Sequence, residues 1–157
     1  MAGYVDVDDT DGRIIAIKRL GDVLYVYKER SIIAFTYTGG EDTVFSKEVV
    51  TTKAGLISPE AIVELPHMHI FVGQDNIYVF DGNTCTAIGD PVKDWVYQNI
   101  KPDSTNRIFG YYNEETGDAT FSFYSTVNEN DNCDKAMIYN VSMRTWSTRE
   151  MYMTAIG

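Results

Sequence analysis

His67 and His69 are the only histidines in the chain. On a strand, residues two apart send their side chains to one face, which could begin a metal site. A structural zinc site needs four ligands and a catalytic one three. Pro66 precedes the pair, and Cys85 and Cys133 could join it only through long-range contact. The two histidines therefore read as strand-surface residues, and no metal site is assigned.

The acidic stretch Asp8-Asp-Thr-Asp-Gly12 superficially resembles a calcium loop. With Gly12 as the sixth position, Asp11 and Asp9 fit the fifth and third, but the first would be Val7 and the twelfth Lys18. It reads as a solvated Asp/Gly turn. Asp8-Asp9 and Glu114-Glu115 are adjacent carboxylates, whereas a glycosidase pair must flank a cleft from separate elements. There is no G-x-S-x-G, no H-E-x-x-H and no phosphate-cradling G-x-x-x-x-G-K-[ST]. No catalytic or cofactor-binding residue is assigned, and an enzyme is not expected. Tyr25, Tyr27, Tyr37, Tyr78, Tyr111, Tyr112, Tyr124 and Tyr139 could line a lectin-like, carbohydrate-binding surface, the alternative function. Tyrosines alternating along strands more often pack a core with the hydroxyl wetted. Trp95 and Trp146 read as core anchors.

Such residues must be held by strands. Aromatics make up 13% of the 157 residues, mostly 11 Tyr and 7 Phe, and they favour pleated, half-buried surfaces. The length suits one domain with a real core, expected to span 1–157 and to be part of a larger propeller if the chain is a fragment. A net charge of −10 repels nucleic acid unless cations cluster, and no such cluster stands out. Two distant cysteines predict free thiols rather than a disulfide framework. The first residues carry no basic, apolar leader pattern, and no segment approaches the roughly 20 apolar residues of a membrane-spanning helix. A soluble protein is expected.

The clearest elements lie at 106–149. Arg107-Ile-Phe-Gly-Tyr-Tyr112 turns at Asn113-Glu-Glu-Thr-Gly117 and returns as Ala119-Thr-Phe-Ser-Phe-Tyr124. Ala136-Met-Ile-Tyr-Asn-Val141 turns at 142–144 and returns at 145–148. Two adjacent hairpins are the size of one four-stranded propeller blade. Further strands are expected at 3–7, 14–18, 23–27, 32–36, 45–49, 61–65, 69–72, 77–80 and 151–156, with loops at 100–106 and 128–134. Ser58-Pro-Glu reads as a helical turn start with Ser58 as cap. Asp90-Pro-Val-Lys-Asp-Trp-Val-Tyr-Gln98 reads as one short helix near 90–99, with Asp90 capping and Pro91 in the first position.

Laying Leu20 on Leu65, an offset of 45 residues, sets Val26 on Phe71, Ser31 on Asn76, Ile33 on Tyr78 and Phe35 on Phe80. A strand-built period of that size is a propeller signature. The expected fold is all-β and propeller-like, with about three to four antiparallel blades. Typical propellers close with 4–8 blades, so this count implies a partial propeller or a fragment of one: a piece of a longer chain, an open ring, or a ring whose missing edge another chain supplies.

Several stretches together resemble a known family. They are Tyr27-Lys-Glu-Arg30 followed by 32–35, Ala54-Gly-Leu-Ile-Ser-Pro59 and Asn76-Ile-Tyr-Val-Phe-Asp-Gly82. Val92-Lys-Asp-Trp-Val-Tyr-Gln-Asn-Ile100, 107–113 and 137–141 with Trp146 complete the order. The chain resembles the tail nozzle, or tail tubular protein B, and packaged-DNA stabilisation proteins of short-tailed phages. That resemblance implies a β-propeller virion protein, made in the bacterial cytoplasm and assembled as a homo-oligomeric ring below portal and adaptor. The ring would continue the DNA channel and retain the genome, with double-stranded DNA passing without specific binding. It implies no catalytic residues. Family members are several times longer, and the chain is expected to match a late part of their propeller.

Overall fold

The computed structural model describes residues 12–37, 45–100, 108–123 and 135–150. The expected strands at 3–7 and 151–156, residues 8–11 of the acidic turn and the loop at 128–134 lie outside them. The described residues form three four-stranded antiparallel sheets and one helix. Blade 1 comprises β1 (Ile14–Leu20), β2 (Val23–Lys28), β3 (Ile32–Tyr37) and β4 (Phe45–Thr51). Blade 2 comprises β5 (Ile62–Glu64), β6 (His69–Val72), β7 (Ile77–Phe80) and β8 (Cys85–Ala87). Helix α1 (Lys93–Asn99) follows. Blade 3 comprises β9 (Phe109–Asn113), β10 (Asp118–Phe123), β11 (Lys135–Asn140) and β12 (Thr145–Glu150). Within each sheet the strands lie in chain order, as an up-and-down meander. The fold is all-β and propeller-like, as expected.

Local chemistry explains the hairpins. Gly21 takes the left-handed conformation, φ +61°, between β1 and β2, where most side chains would be strained. Alternation in β2 and β3 then sorts residues between two faces. Tyr25, Tyr27, Ile32 and Ala34 join the main core, while Val26, Ile33 and Phe35 form a separate cluster. The main core is continuous through all three blades and the helix.

The 45-residue repeat is reproduced pair by pair in the first three strands of blades 1 and 2. Val26 opposes Ile33 as Phe71 opposes Tyr78, and Tyr27 opposes Ile32 as Val72 opposes Ile77. Between the first two strands, Ile17 opposes Val26 as Ile62 opposes Phe71. The correspondence ends at the fourth strand. In blade 2 that strand is the three-residue β8, unforeseen in the sequence, and α1 overlaps the stretch that the 45-residue offset sets against β4.

The short helix expected near 90–99 is present as α1, but its cap needs correction, as does the helical turn expected at Ser58. Asp90 and Pro91 precede α1, and the cap position belongs to Val92, whose side chain makes no capping bond. The Asp90 carboxylate instead accepts a hydrogen bond from Asn76 Nδ2 at 3.0 Å and lies 3.4 Å from Lys93 Nζ. The Gly89 carbonyl receives the N–H groups of Val92 and Lys93, so the chain enters the helix through a turn. Ser58 starts no helix either. Its carbonyl accepts the Ala61 N–H at 3.1 Å, closing a turn, and its Oγ is buried without a hydrogen-bond partner.

Candidate functional site

A buried polar pair lies where blade 1 meets blade 2. β2 turns Tyr25 and Tyr27 toward β6 and β7, which turn back His69, Phe71 and Phe80. Tyr25 meets Phe80 edge-on at 4.7 Å between ring centroids, and Tyr27 meets Phe71 at 5.2 Å. Such pairs add about 0.5–1.5 kcal/mol each beyond area burial.

His69 is fully buried at the centre of this junction. Its Nε2 lies 3.0 Å from the Arg19 carbonyl oxygen on β1. A carbonyl can only accept, so Nε2 carries the proton. Nδ1 then accepts from the Tyr27 hydroxyl at 2.7 Å. Burial lowers the His69 pKa and raises that of Tyr27, holding both groups neutral. The strand-surface reading of His69 is thereby overturned: the ring lies inside the inter-blade contact. His67, by contrast, is exposed in the turn between β5 and β6. The two histidines do not share a site, and the described residues contain no cluster of three or more metal-ligating side chains. At the edge of the junction, Lys18 Nζ on β1 sits 3.7 Å from Glu64 Oε2 on β5. In a partly exposed position such a pair contributes about 0–1 kcal/mol.

The junction between blades 2 and 3 relies on close approach. A Cβ at Gly110 would lie 2.8 Å from the Phe121 ring and 3.1 Å from Val63 Cγ2. The Gly110 N–H donates to the Glu60 carbonyl at 2.8 Å. Trp146 Nε1 donates to the Ile88 carbonyl at 2.8 Å, and Trp95 packs edge-on against Phe123 at 5.7 Å. Both tryptophans are half-buried anchors against the core, as expected. Tyr97 was not singled out in the sequence. Its hydroxyl donates to the Gly73 carbonyl at 2.6 Å, with the Asn76 carbonyl at 3.0 Å, tying α1 to the β6–β7 turn. An exposed-looking Tyr on a short helix offered no periodic signal for that role.

The remaining candidates are dispersed. Glu114 and Glu115 lie exposed in the β9–β10 turn, and Asp8 and Asp9 are outside the described residues. Cys85 is a half-buried free thiol on β8, its pKa pushed up to about 11 by burial, which makes it a poor nucleophile. Cys133 is not among the described residues. Tyr25, Tyr27, Tyr78 and Tyr139 are buried, Tyr112 is half-buried, and Tyr124 is outside the described residues. The exposed Tyr37 and Tyr111 sit on different blades, so the described tyrosines do not share one exposed strand face. A polar pocket of about 220 Å³ is lined by Glu29, Arg30, Thr52, Lys53, Gln74 and Asp75. Typical ligand pockets are larger and mostly apolar, about 300–1,000 Å³. The described residues thus assemble interfaces between blades, and no catalytic constellation is found among them.

Residues 3–91, more than half of the chain, match the phage-stabilisation family described as bacteriophage P22 Gp10, beta-propeller. The match covers the described parts of blades 1 and 2 and ends just before α1. No curated protein matches the chain.

Proposed function

The chain belongs to the phage-stabilisation family of the P22 Gp10 β-propeller, and from that premise we propose that it is a nozzle-like component of the tail or neck of a short-tailed phage. The family is one of phage structural, DNA-stabilising proteins. In the proposed role the chain forms one propeller-like unit, contributes to a homo-oligomeric ring with portal, adaptor or tail proteins, and helps retain the packaged genome. The observation that carries the reading is the stack of meander sheets coinciding with the family match.

The charge supports it. A protein of net charge −10 offers DNA few cationic contacts, so a passing duplex gains little binding free energy at each phosphate. The chemistry is mechanical: rigid blades hold a wall in place, and no bond is made or broken.

The test is genetic and physical. Virions assembled without this protein are expected to lose packaged DNA, read as nuclease-sensitive genome. The purified protein is expected to co-sediment with portal–adaptor particles. Full genome retention together with no co-sedimentation would overturn the proposal. Binding on a host-polysaccharide titration would instead favour recognition of a sugar receptor.

A further inference from the structure

The polar pocket of about 220 Å³ opens where three segments of the first two blades converge. They are the β2–β3 turn with Glu29 and Arg30, the stretch after β4 with Lys53 and Gly55, and the β6–β7 turn with Gln74 and Asp75. Backbone contacts lock the three together. The Leu56 N–H donates to the Lys28 carbonyl at 2.9 Å, and the Ile57 N–H donates to the Val72 carbonyl at 2.9 Å. Glycines permit the close approach. A Cβ at Gly55 would run into the Glu29 carbonyl and the Arg30 nitrogen, and one at Gly73 would lie 2.8 Å from the Gly55 carbonyl oxygen. The floor is therefore pre-formed, which leaves little backbone ordering for binding to cost.

The carboxylates of the pocket are already engaged. Arg13, from outside it, holds Glu29 with Nε 2.8 Å from Oε1. Asp75 Oδ1 accepts from the Tyr78 hydroxyl at 2.8 Å. Arg30 and Lys53 are both exposed, and among the described residues no ion pair holds either. With Arg13 counted, three cations stand against the two carboxylates, and Arg30 and Lys53 are the charged donors left to a ligand.

Size and charge together select the occupant. The pocket is below the range of about 300–1,000 Å³ usual for whole small-molecule ligands, so it suits a single side chain. A guanidinium grips a carboxylate through a two-pronged fork, and an ammonium adds a point charge beside it. Nucleic acid also offers anionic groups, but as a continuous polyanion that a chain of net charge −10 repels along its length. One carboxylate on a protein loop meets mainly the local cations. We propose that this pocket binds the Glu or Asp side chain of a loop on a partner protein, with Arg30 and Lys53 as the binding residues. The site stands independently of the nozzle role, which co-sedimentation with portal–adaptor particles tests separately.

The experiment is a titration of the purified full chain, read in its amide NMR spectrum. The probes are acetyl-Gly-Glu-Gly-amide, the same peptide with Gln in place of Glu, inorganic phosphate and a short DNA duplex. The Glu peptide is expected to shift the amide signals of Arg30, Lys53 and Gln74 saturably, and the Gln peptide to leave them in place. Arg30→Ala and Lys53→Ala are each expected to weaken the Glu peptide about tenfold, the loss of one charge-assisted bond, while the strand signals report an intact fold. Added salt should weaken it as well. The absence of a saturable shift with the Glu peptide would overturn the proposal, as would an equal response to the Gln peptide or an affinity unchanged in both variants. Tighter binding of phosphate or of the duplex at the same signals would also overturn it, and would assign the pocket to a phosphate group.

Discussion

The Tyr27 hydroxyl donates to His69 Nδ1 across 2.7 Å, although 42 residues separate the two in the chain. This bond links the second strand of blade 1 to the second strand of blade 2. The Arg19 carbonyl, receiving the other ring nitrogen, adds a contact to the first strand. The junction is thus oriented by directional bonds as well as by burial.

Removing one partner should be costly. Tyr27→Phe leaves His69 Nδ1 buried without a donor, at an expected loss of about 1–3 kcal/mol. A urea midpoint unchanged from wild type would show that the bond contributes nothing net.

The same pair predicts a pH dependence. Burial holds the His69 pKa below its ordinary value of 6.5. The unfolded chain therefore takes up a proton that the folded ring resists. Stability from the neutral ring is complete above about pH 6.5 and falls as the pH drops below that value toward the folded pKa. Asp81 and Asp90, whose pKa values are depressed by hydrogen bonds to their carboxylates, lose their contributions only at more acidic pH. Melting temperature should decline between pH 7 and 5, and His69→Gln should flatten that slope. Equal slopes in the two proteins would remove His69 as the source.

Trp146 ties the last described strand to the end of blade 2 through Ile88. Trp146→Ala is expected to cost about 3 kcal/mol, the low end for a large aromatic because the ring is half-buried. Trp146→Phe should cost less, chiefly the indole bond to the Ile88 carbonyl. Chemical denaturation of both variants checks the order; a Trp146→Ala midpoint equal to wild type would sink the anchor assignment.

Arg144 occupies the left-handed region, φ +57°, in the β11–β12 turn. Asn140 holds the turn from below: its Oδ1 accepts the Met143 N–H at 2.8 Å, and its carbonyl accepts the Arg144 N–H at 2.7 Å. Arg144→Gly relieves the backbone strain but adds freedom to the unfolded chain, for a net gain of up to about 1 kcal/mol. A lower melting temperature for Arg144→Gly would contradict this.

Strand positions were legible where alternation was strong. The runs at 69–72 and 77–80 coincide with β6 and β7, and the double hairpin at 106–149 became blade 3 with ends shifted by one or two residues. Cys85–Ala87 escaped notice because three residues beside a turn are too short to show a period. The helix start was misread because Asp90 found a tertiary partner in Asn76, leaving its carboxylate engaged outside the cap position.

By itself, the sequence determined the all-β class, the turn positions and the 45-residue repeat. All three follow from local alternation and from Gly, Asn and Asp at the turns. The same alternation placed Tyr25 with Tyr27, and His69 with Phe71, on shared faces. Only the tertiary structure decided that these two faces meet, making His69 a buried neutral acceptor rather than a surface residue. A strand's period specifies which residues share a face. What covers that face depends on how whole sheets pack, which is set by side-chain fit across dozens of residues of separation.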